Sequence, residues 1–250
     1  YNKHMYSPAQ DGIEKTAQAV RYTEAEPPSD LSGYVYCFWE LKTDGVLSED
    51  FQLHATPDAC VDIMFNEIDT SIAGITALRT TYEVLNLGRS FHYVGIQFLP
   101  GVWQGNRDEI AHEYIGAPYA GSLPLLATNN KMAGLDFVGK QAVMSELARR
   151  LASEEMVIAN PVTEKILAHL NDIHSVADMA RVAGVSPRQL QRTLRQTTGF
   201  APHDLLKVLR LQRSFTQPDP SVFADQSHFI RSFRKATGYT PTQYFSKFER

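Results

Sequence analysis

The sequence is poor in the features that mark secreted, membrane-bound and cysteine-stapled proteins. Its 250 residues include only two cysteines, Cys37 and Cys60, and no C-x-x-C pair, which argues against a disulfide scaffold or a cysteine-based zinc site. No apolar run approaches the roughly 18 residues of a membrane helix. The opening stretch YNKHMYSPAQDGIEK lacks the apolar segment of a signal peptide. We therefore expect a reduced, cytoplasmic protein without a membrane partner.

Motifs that would indicate catalysis are also missing. The sequence has no G-x-S-x-G, no phosphate-binding P-loop and no G-x-G-x-x-G. A metal-dependent β-barrel enzyme remains an alternative, because His54, His92, His112 and Glu113 lie in a segment rich in strand formers. These residues lack the close pair of histidines with a carboxylate at ligand spacing that such a site needs. The prediction is no enzyme, no cofactor and no metal.

Charge is distributed unevenly along the chain. The net charge of −4 combines residues 1–160, with 11 basic and 21 acidic side chains, and residues 161–250, with 13 basic and 7 acidic side chains. The two parts therefore carry −10 and +6. A basic C-terminal part on an acidic body suggests a polyanionic partner for that part alone.

The acidic part is predicted to be a β-rich domain, residues 1–160. LSGYVYCFWEL, CVDIMFNEI and HYVGIQFLPG are aromatic and β-branched runs separated by turn residues, which indicates strands over about 30–115. AGLDFVGKQAVMSELARRLASEE has apolar residues at helical spacing, which predicts helices over about 135–155. SEEMVIANP is the predicted linker to a second, all-helical domain at 161–250. The predicted fold class is therefore α+β with two domains.

Helix start and stop signals are clear in the basic part. Ser175 and Asp178 have the spacing of a capping box, and Gly184 is placed to end the helix that they begin. Ser186 then caps the next helix, with Pro187 at its first position, where a missing N–H costs nothing. The pattern predicts two helices joined by a short turn, which is the helix-turn-helix arrangement.

A basic segment occurs twice in this part of the chain. SPRQLQRTLRQTTGFAP (residues 186–202, the first repeat) aligns with DQSHFIRSFRKATGYTP (residues 225–241, the second repeat) at an offset of 39. Apolar residues align with apolar residues, and both copies end in a Gly-aromatic-x-Pro sequence. The intervening PHDLLKVLRLQRSF predicts a long helix that holds the two copies in a fixed relation.

Each repeat is predicted to present a polar face to DNA. With Leu190 and Leu194 turned inward, the opposite face of the first repeat carries arginines and a glutamine, side chains that can bind guanine and adenine edges. A merely solvated surface is the alternative for one such helix, and the duplication argues against it. In the second repeat, His228 has two possible roles, contact with a base or capping of a neighbouring group as a partly buried polar side chain. The candidate DNA contacts are Arg188, Gln191, Arg192, Arg195, Gln226, Ser227, His228 and Arg231.

Residues 162–248 resemble the DNA-binding domain of AraC/XylS-type transcription regulators. The resemblance rests on the pattern F-x-D-Q-S-H-F-x-R-x-F-[RK]-[RK]-x-T-G-x-T-P-x-Q-Y around the second repeat. It implies a regulator with two helix-turn-helix units about 34 Å apart, reading successive major grooves of promoter DNA. It also implies an N-terminal domain that senses a small-molecule effector or forms a homodimer, and an activator that contacts RNA polymerase.

Aromatic residues in the β-rich domain are the candidates for the effector site. Tyr36, Trp39 and Trp103, with neighbouring aromatic side chains, would form a shell that encloses an apolar or aromatic small molecule. The alternative is that they belong to an ordinary hydrophobic core.

The second repeat departs from the family pattern. About eight residues of a first helix are missing between Val222 and Phe223. Either the protein has lost this helix, or the sequence as given omits it. We favour omission, since Phe229 and Phe233 would otherwise lack a packing partner. A true loss would favour an interaction or ligand-binding module with impaired DNA binding.

Overall fold

The computed structural model describes residues 6–9, 11–76, 78–105, 110–111, 117–216 and 226–248. Within these residues the chain is α+β, with strands first and helices after them. The strands are β1 (Val20–Ala25), β2 (Val35–Thr43), β3 (Phe51–Ala55), β4 (Val61–Asn66), β5 (Ala73–Thr76), β6 (Glu83–Gly88), β7 (His92–Phe98) and β8 (Ile110–Ala111). The helices are α1 (Leu125–Met132), α2 (Phe137–Ser153), α3 (Pro161–Ala168), α4 (Val176–Ala183), α5 (Pro187–Thr197), α6 (Pro202–Thr216), α7 (Gln226–Thr237) and α8 (Pro241–Lys247).

The strands form a six-stranded sheet and a separate pair. The sheet has the order β1-β2-β7-β4-β5-β8, and β3 pairs with β6. All of these pairings are antiparallel except that of β5 with β8. Because side chains alternate between the two faces of a strand, Ile63 and Phe65 join the core under the helices while Met64 joins the core toward β3 and β6. Both faces of the large sheet are thus covered, which explains its long apolar runs.

Helices α1 and α2 cover one face of the large sheet. Phe38, Ile96 and Phe98 of the sheet are fully buried in the same core as Met132 and Met144 of the helices. Burying a large apolar side chain contributes about 1.5–3 kcal/mol. This core therefore holds the region from β2 to α2 together.

Helices α3 to α6 pack in a core that also includes Tyr6, Ala59 and Cys60, and their ends confirm the predicted caps. Ser175 Oγ accepts a hydrogen bond from the N–H of Asp178, and Ser186 Oγ accepts one from the N–H of Gln189. Gly184 ends α4 at a φ of +72°, a left-handed conformation that favours glycine. The predicted connecting helix is α6. No helix among the described residues is long and apolar enough to cross a membrane.

The N-terminal segment joins the strand-rich part to the helical part. The N–H of Ala9 donates to Oε1 of Gln212 in α6, over 2.7 Å, and the N–H of Lys15 donates to the carbonyl of Lys247. Glu14 and Phe248 form a β-bridge. The two parts of the chain are therefore connected through the first residues that the structure describes.

Several elements differ from the sequence-based expectations. The first strand, β1, begins at Val20, ahead of the predicted start near residue 30. The sequence did not predict this strand because VRYTEA is mostly polar and contains no apolar run. The predicted linker packs on the strand-rich part, because Val157 within it forms a β-bridge with Trp103. His112, Glu113 and the Val222–Phe223 junction lie outside the described residues. The domain boundary near residue 160 stays a prediction.

Candidate functional site

The first repeat presents a continuous polar surface. Leu190 and Leu194 of α5 are fully buried. The predicted contact residues of this helix are all exposed. They lie at i, i+3, i+4 and i+7, which is one face of a helix. These residues are Arg188, Gln191, Arg192 and Arg195.

Close packing of α4 on α5 positions this face. Met179, Ala180 and Ala183 of α4 share a core with the two leucines of α5. The small alanine side chains let the helices approach closely. Buried apolar contacts on the inner side of α5 therefore fix the orientation of its polar face.

The second repeat repeats the arrangement with aromatic residues. Phe229 and Phe233 of α7 are buried, and their ring centroids lie 5.7 Å apart. Ser227, His228 and Arg231 are exposed on the outer surface of the same helix. Gln226 is the first residue of α7. DNA contact by these residues, and the 34 Å spacing from α5, stay predictions.

A cavity of about 100 Å³ lies between the six-stranded sheet and the β3–β6 pair. Side chains two residues apart on each strand point into it, as strand geometry requires. Its walls mix apolar, aromatic and acidic groups. They include Asp11, Ile13, Tyr22, Glu24, Trp39, Leu41, Leu53, Ala55, Asp58, Asp62, Met64, Arg79, Leu85, Leu87 and Tyr93.

Trp39 lies across the sheet beneath this cavity because its neighbour on β7 is a glycine. A Cβ atom at Gly95 would meet the Trp39 ring at 2.3 Å. The indole Nε1–H donates to Oδ1 of Asp62 over 2.9 Å, which fixes the ring in place. The glycine thus makes room for an aromatic floor, as close approach in a strand interior often requires.

Three aspartates in the cavity wall are each fixed by hydrogen bonds. Asp11 accepts one from the N–H of Thr56, and Asp62 accepts the one from the Trp39 indole. Asp58 accepts one from Nε2 of Gln97, over 2.8 Å. Preorganised carboxylates at a cavity wall can hold a cationic group.

Burial strongly perturbs these carboxylates. Desolvation raises the pKa of Asp58 to about 7 and raises the pKa of Asp62 well above its usual range. The pKa of Asp11 is also raised by burial. The Arg79 guanidinium opposes all three shifts but does not offset them. Perturbed acidic groups in a cavity are typical of binding sites.

The predicted effector-binding aromatics lie in different places. Trp39 lines the cavity. Tyr36 lies outside its lining residues, and its hydroxyl is 2.9 Å from that of Ser7. Trp103 belongs to the core under α1 and α2 and contacts Phe98.

Two histidines of the alternative enzyme hypothesis have other surroundings. Nε2 of His92 lies 2.8 Å from Oε1 of Glu40, in an ion-pair network with Lys42 and Lys140. His54 is buried between the Tyr82 ring of the strand-rich part and the rings of Tyr244 and Phe248 in the C-terminal part. No group of three histidine, cysteine or acidic side chains in the described part of the chain could hold a metal ion.

The acidic wall of the cavity was not predicted from the sequence. One local signal was present, since Asp62 interrupts the apolar run CVDIMFN and Gly95 interrupts YVGIQF. Asp11 and Arg79 carry no such signal, because they come from segments outside the strands. Only the folded chain places them on the same cavity.

One part of the chain matches a known family model. A family model described as a domain of unknown function, DUF6597, matches residues 23–114. The match covers much of the strand-rich part and less than half of the chain. No curated protein matches.

Solved structures of ToxT from Vibrio cholerae resemble the chain weakly. One has a TM-score of 0.41 at 9% identity and covers 91% of this chain and 98% of its own. Another, bound to (E)-4-(8-methylnaphthalen-1-yl)but-3-enoic acid, has a TM-score of 0.41 at 12% identity, covering 90% and 97%. The structure of ToxT bound to an unsaturated fatty acid has a TM-score of 0.40 at 8% identity, and the match covers 97% of each chain. At these values the likeness carries no argument about function.

Proposed function

We propose that the protein is a sequence-specific DNA-binding transcription regulator of the AraC type, with α5 and α7 as its recognition helices. One observation carries this proposal: both repeats bury two apolar side chains at matching positions, Leu190 and Leu194 or Phe229 and Phe233, and expose their arginines on the same helix. Arginine binds phosphates and guanine edges, so such a face serves both for anchoring on DNA and for base reading.

The cavity is the proposed effector site, and its walls suggest how an effector acts on the helical part. Leu53 and Ala55 of β3 line the cavity, while His54 between them packs on Tyr244 and Phe248. The same strand thus borders the cavity and the C-terminal helices. A ligand that moves β3 would change how α7 is held, which is the coupling between two sites that regulation needs.

The finer parts of this proposal follow from the family resemblance. They are promoter DNA and RNA polymerase as partners, a homodimer, a cytoplasmic location and an activating rather than repressing role. An interaction module without DNA binding is the competing function, and DNA selection separates the two.

The first test is selection of bound fragments from sheared DNA of the source genome, at about 0.15 M salt. We expect a few promoter fragments that share two short motifs one helical turn apart. Recovery of a single short motif would restrict reading to one repeat. Absence of any enrichment, with and without extracts containing small molecules, would overturn the proposal.

Arginine variants test which helices read DNA. Arg192→Ala and Arg231→Ala should each weaken binding to the selected site by about 1–3 kcal/mol, which is about 5- to 150-fold. Arg150→Ala is the matched control, since Arg150 is an exposed arginine of α2, outside the repeats. Gel-shift titration measures the affinities. Unchanged affinity in Arg192→Ala would remove the first repeat from the DNA interface.

A further inference from the structure

The chemistry of the cavity indicates the class of ligand that it takes. Resting on the proposed effector site, we propose that the ligand is a small organic cation, an amine whose ammonium group lies between Asp58 and Asp62 and whose carbon skeleton packs on Trp39. This assigns the cavity to a positively charged effector in place of the apolar or aromatic molecule expected from the sequence.

Charge balance in the cavity wall is the first argument. Four carboxylates line the cavity, those of Asp11, Glu24, Asp58 and Asp62, and Arg79 is the only basic side chain among the described lining residues. Arg79 also pairs with Glu83 over 3.3 Å. An added anion would face these carboxylates at short range in a medium of low polarity, whereas an added cation would relieve their mutual repulsion.

The aromatic floor is the second argument, and it is independent of the charges. Tyr22, Trp39 and Tyr93 line the cavity. The Trp39 ring lies over Gly95, where a side chain would occupy its space. A cation within about 6 Å of the face of such a ring is attracted by its electron density. Carboxylates and aromatic faces together are what an ammonium group needs for binding.

An organic cation fits better than a metal ion. Among the described ranges, no group of three histidine, cysteine or acidic side chains is placed to hold a metal ion, and this includes the carboxylates around the cavity. The remaining walls, from Leu41, Leu53, Met64 and Leu87, are apolar and suit a carbon skeleton.

The raised pKa values predict that binding releases protons. Burial raises the pKa of Asp58 to about 7 and raises the pKa of Asp62 in the same direction, so part of the Asp58 population holds a proton near neutral pH when the cavity is empty. An ammonium group favours the ionised carboxylates, hence binding should strengthen as the pH rises from 6 to 8. The titratable and charged groups that face Asp62 are Asp11, Tyr22, Cys37, Asp58, Cys60 and Arg79.

Isothermal titration calorimetry on the full chain tests the proposal with matched probes. The cationic probes are phenethylamine, choline and putrescine, and the controls are neutral 2-phenylethanol and anionic phenylacetate. We expect at least one cation to bind with a dissociation constant below about 1 mM, a free energy of about −4.1 kcal/mol. It should bind at least tenfold more tightly than either control, with proton release that shows as a buffer-dependent heat.

Asp62→Asn is the matched variant. An asparagine oxygen can still accept the Trp39 hydrogen bond, so the fold of the unliganded protein should be retained. Cation affinity should fall at least tenfold in this variant, while Asp50→Asn, at an exposed aspartate before β3, should leave it unchanged.

Each outcome decides between the cation and its alternatives. Binding of no cation, equal binding of 2-phenylethanol, tighter binding of phenylacetate, or full affinity in Asp62→Asn would overturn the cation proposal. None of these results decides whether the protein binds DNA, because the DNA selection is read out separately. Failure to bind DNA, with cation binding intact, would overturn only the proposed regulator.

Discussion

The two repeats have the same polar pattern and different supports. In the first repeat, α5 packs on α4 and α6, and its buried leucines contact small aliphatic residues of the helical part. In the second repeat, α7 packs in an aromatic cluster with Phe215 and Tyr244. That cluster continues through Phe248 to His54 of β3. The first repeat therefore packs on helices in a core that also contains Tyr6, Ala59 and Cys60 of the strand-rich part, and the second repeat meets strand β3 through aromatic rings.

This difference explains where an effector signal would act. The N–H of Tyr82, just before β6, donates to the carbonyl of Ala236 in α7, over 2.7 Å. The Tyr82 ring stacks on His54 and lies against Gly238 at the end of the second repeat. A change in the cavity walls reaches α7 through the Tyr82 hydrogen bond and ring contacts, whereas its route to α5 runs through the apolar core that Cys60 of the cavity wall shares with Leu190 and Leu194. The second repeat is thus the expected target of regulation.

Removing the center of the aromatic cluster should have the largest effect. Phe233 is 1% exposed and contacts Phe215, Phe229 and Tyr244. Phe233→Ala should lower the free energy of unfolding by about 3–5 kcal/mol, the usual cost of an aromatic-sized cavity. Urea denaturation measures this change, with exposed Arg234→Ala as the control, expected within about 0.5 kcal/mol of the parent. A loss below 1 kcal/mol would mean that the second repeat does not need this core.

A matched pair of glycines separates strain from contact with the strand-rich part. Gly184 and Gly238 both have positive φ, +72° and +79°, so alanine is strained at either position. Only at Gly238 would the added Cβ also meet the Tyr82 ring, at 2.8 Å. Gly184→Ala should cost about 1–2 kcal/mol, and Gly238→Ala should cost measurably more.

A double-mutant cycle gives the control for the glycine pair. In a Tyr82→Ala background the excess cost of Gly238→Ala should disappear, since the ring that it meets is gone. The cost of Gly184→Ala should not change in that background. Equal costs at the two glycines in both backgrounds would show that Tyr82 does not press on the second repeat.

The smallest expected effect is a pH dependence of the link between β3 and the C-terminal helices. His54 is 3% exposed, burial lowers its pKa below 6.5, and the nearby Lys247 lowers the pKa further. The folded protein therefore favours neutral His54, and the stability that it contributes is lost as the pH falls through 6.5.

His54→Phe should remove this component while keeping an aromatic ring in the cluster. Between pH 7.5 and 5.5 the variant should lose less stability than the parent protein, as thermal unfolding would show. His203→Gln, at an exposed histidine of α6, is the control and should follow the parent. The same pH profile in parent and His54→Phe would contradict a buried neutral histidine. Hydrogen exchange should place any acid-induced opening in α7 and α8 before α5.

Local signals predicted the helical part well. The serine caps at Ser175 and Ser186, the ending at Gly184 and the buried Leu190 and Leu194 are where the sequence indicates. Each depends on residues within four positions along the chain, so a short stretch of sequence contains the physical cause. The strand β1 and the cavity were not predicted, because polar strand residues and wall residues from distant segments leave no periodic pattern.

The sequence by itself determined an α+β chain with a basic helical end and two repeats whose polar faces point outward. Those properties follow from residue spacing, capping groups and charge, which act locally. Only the tertiary structure decided that Asp11, Asp58, Asp62 and Arg79 share one cavity, and that His54 reaches the aromatic cluster of the second repeat. These contacts join residues far apart in sequence. Their geometry, and the pKa shifts that burial causes, exist only once the sheets and helices have packed.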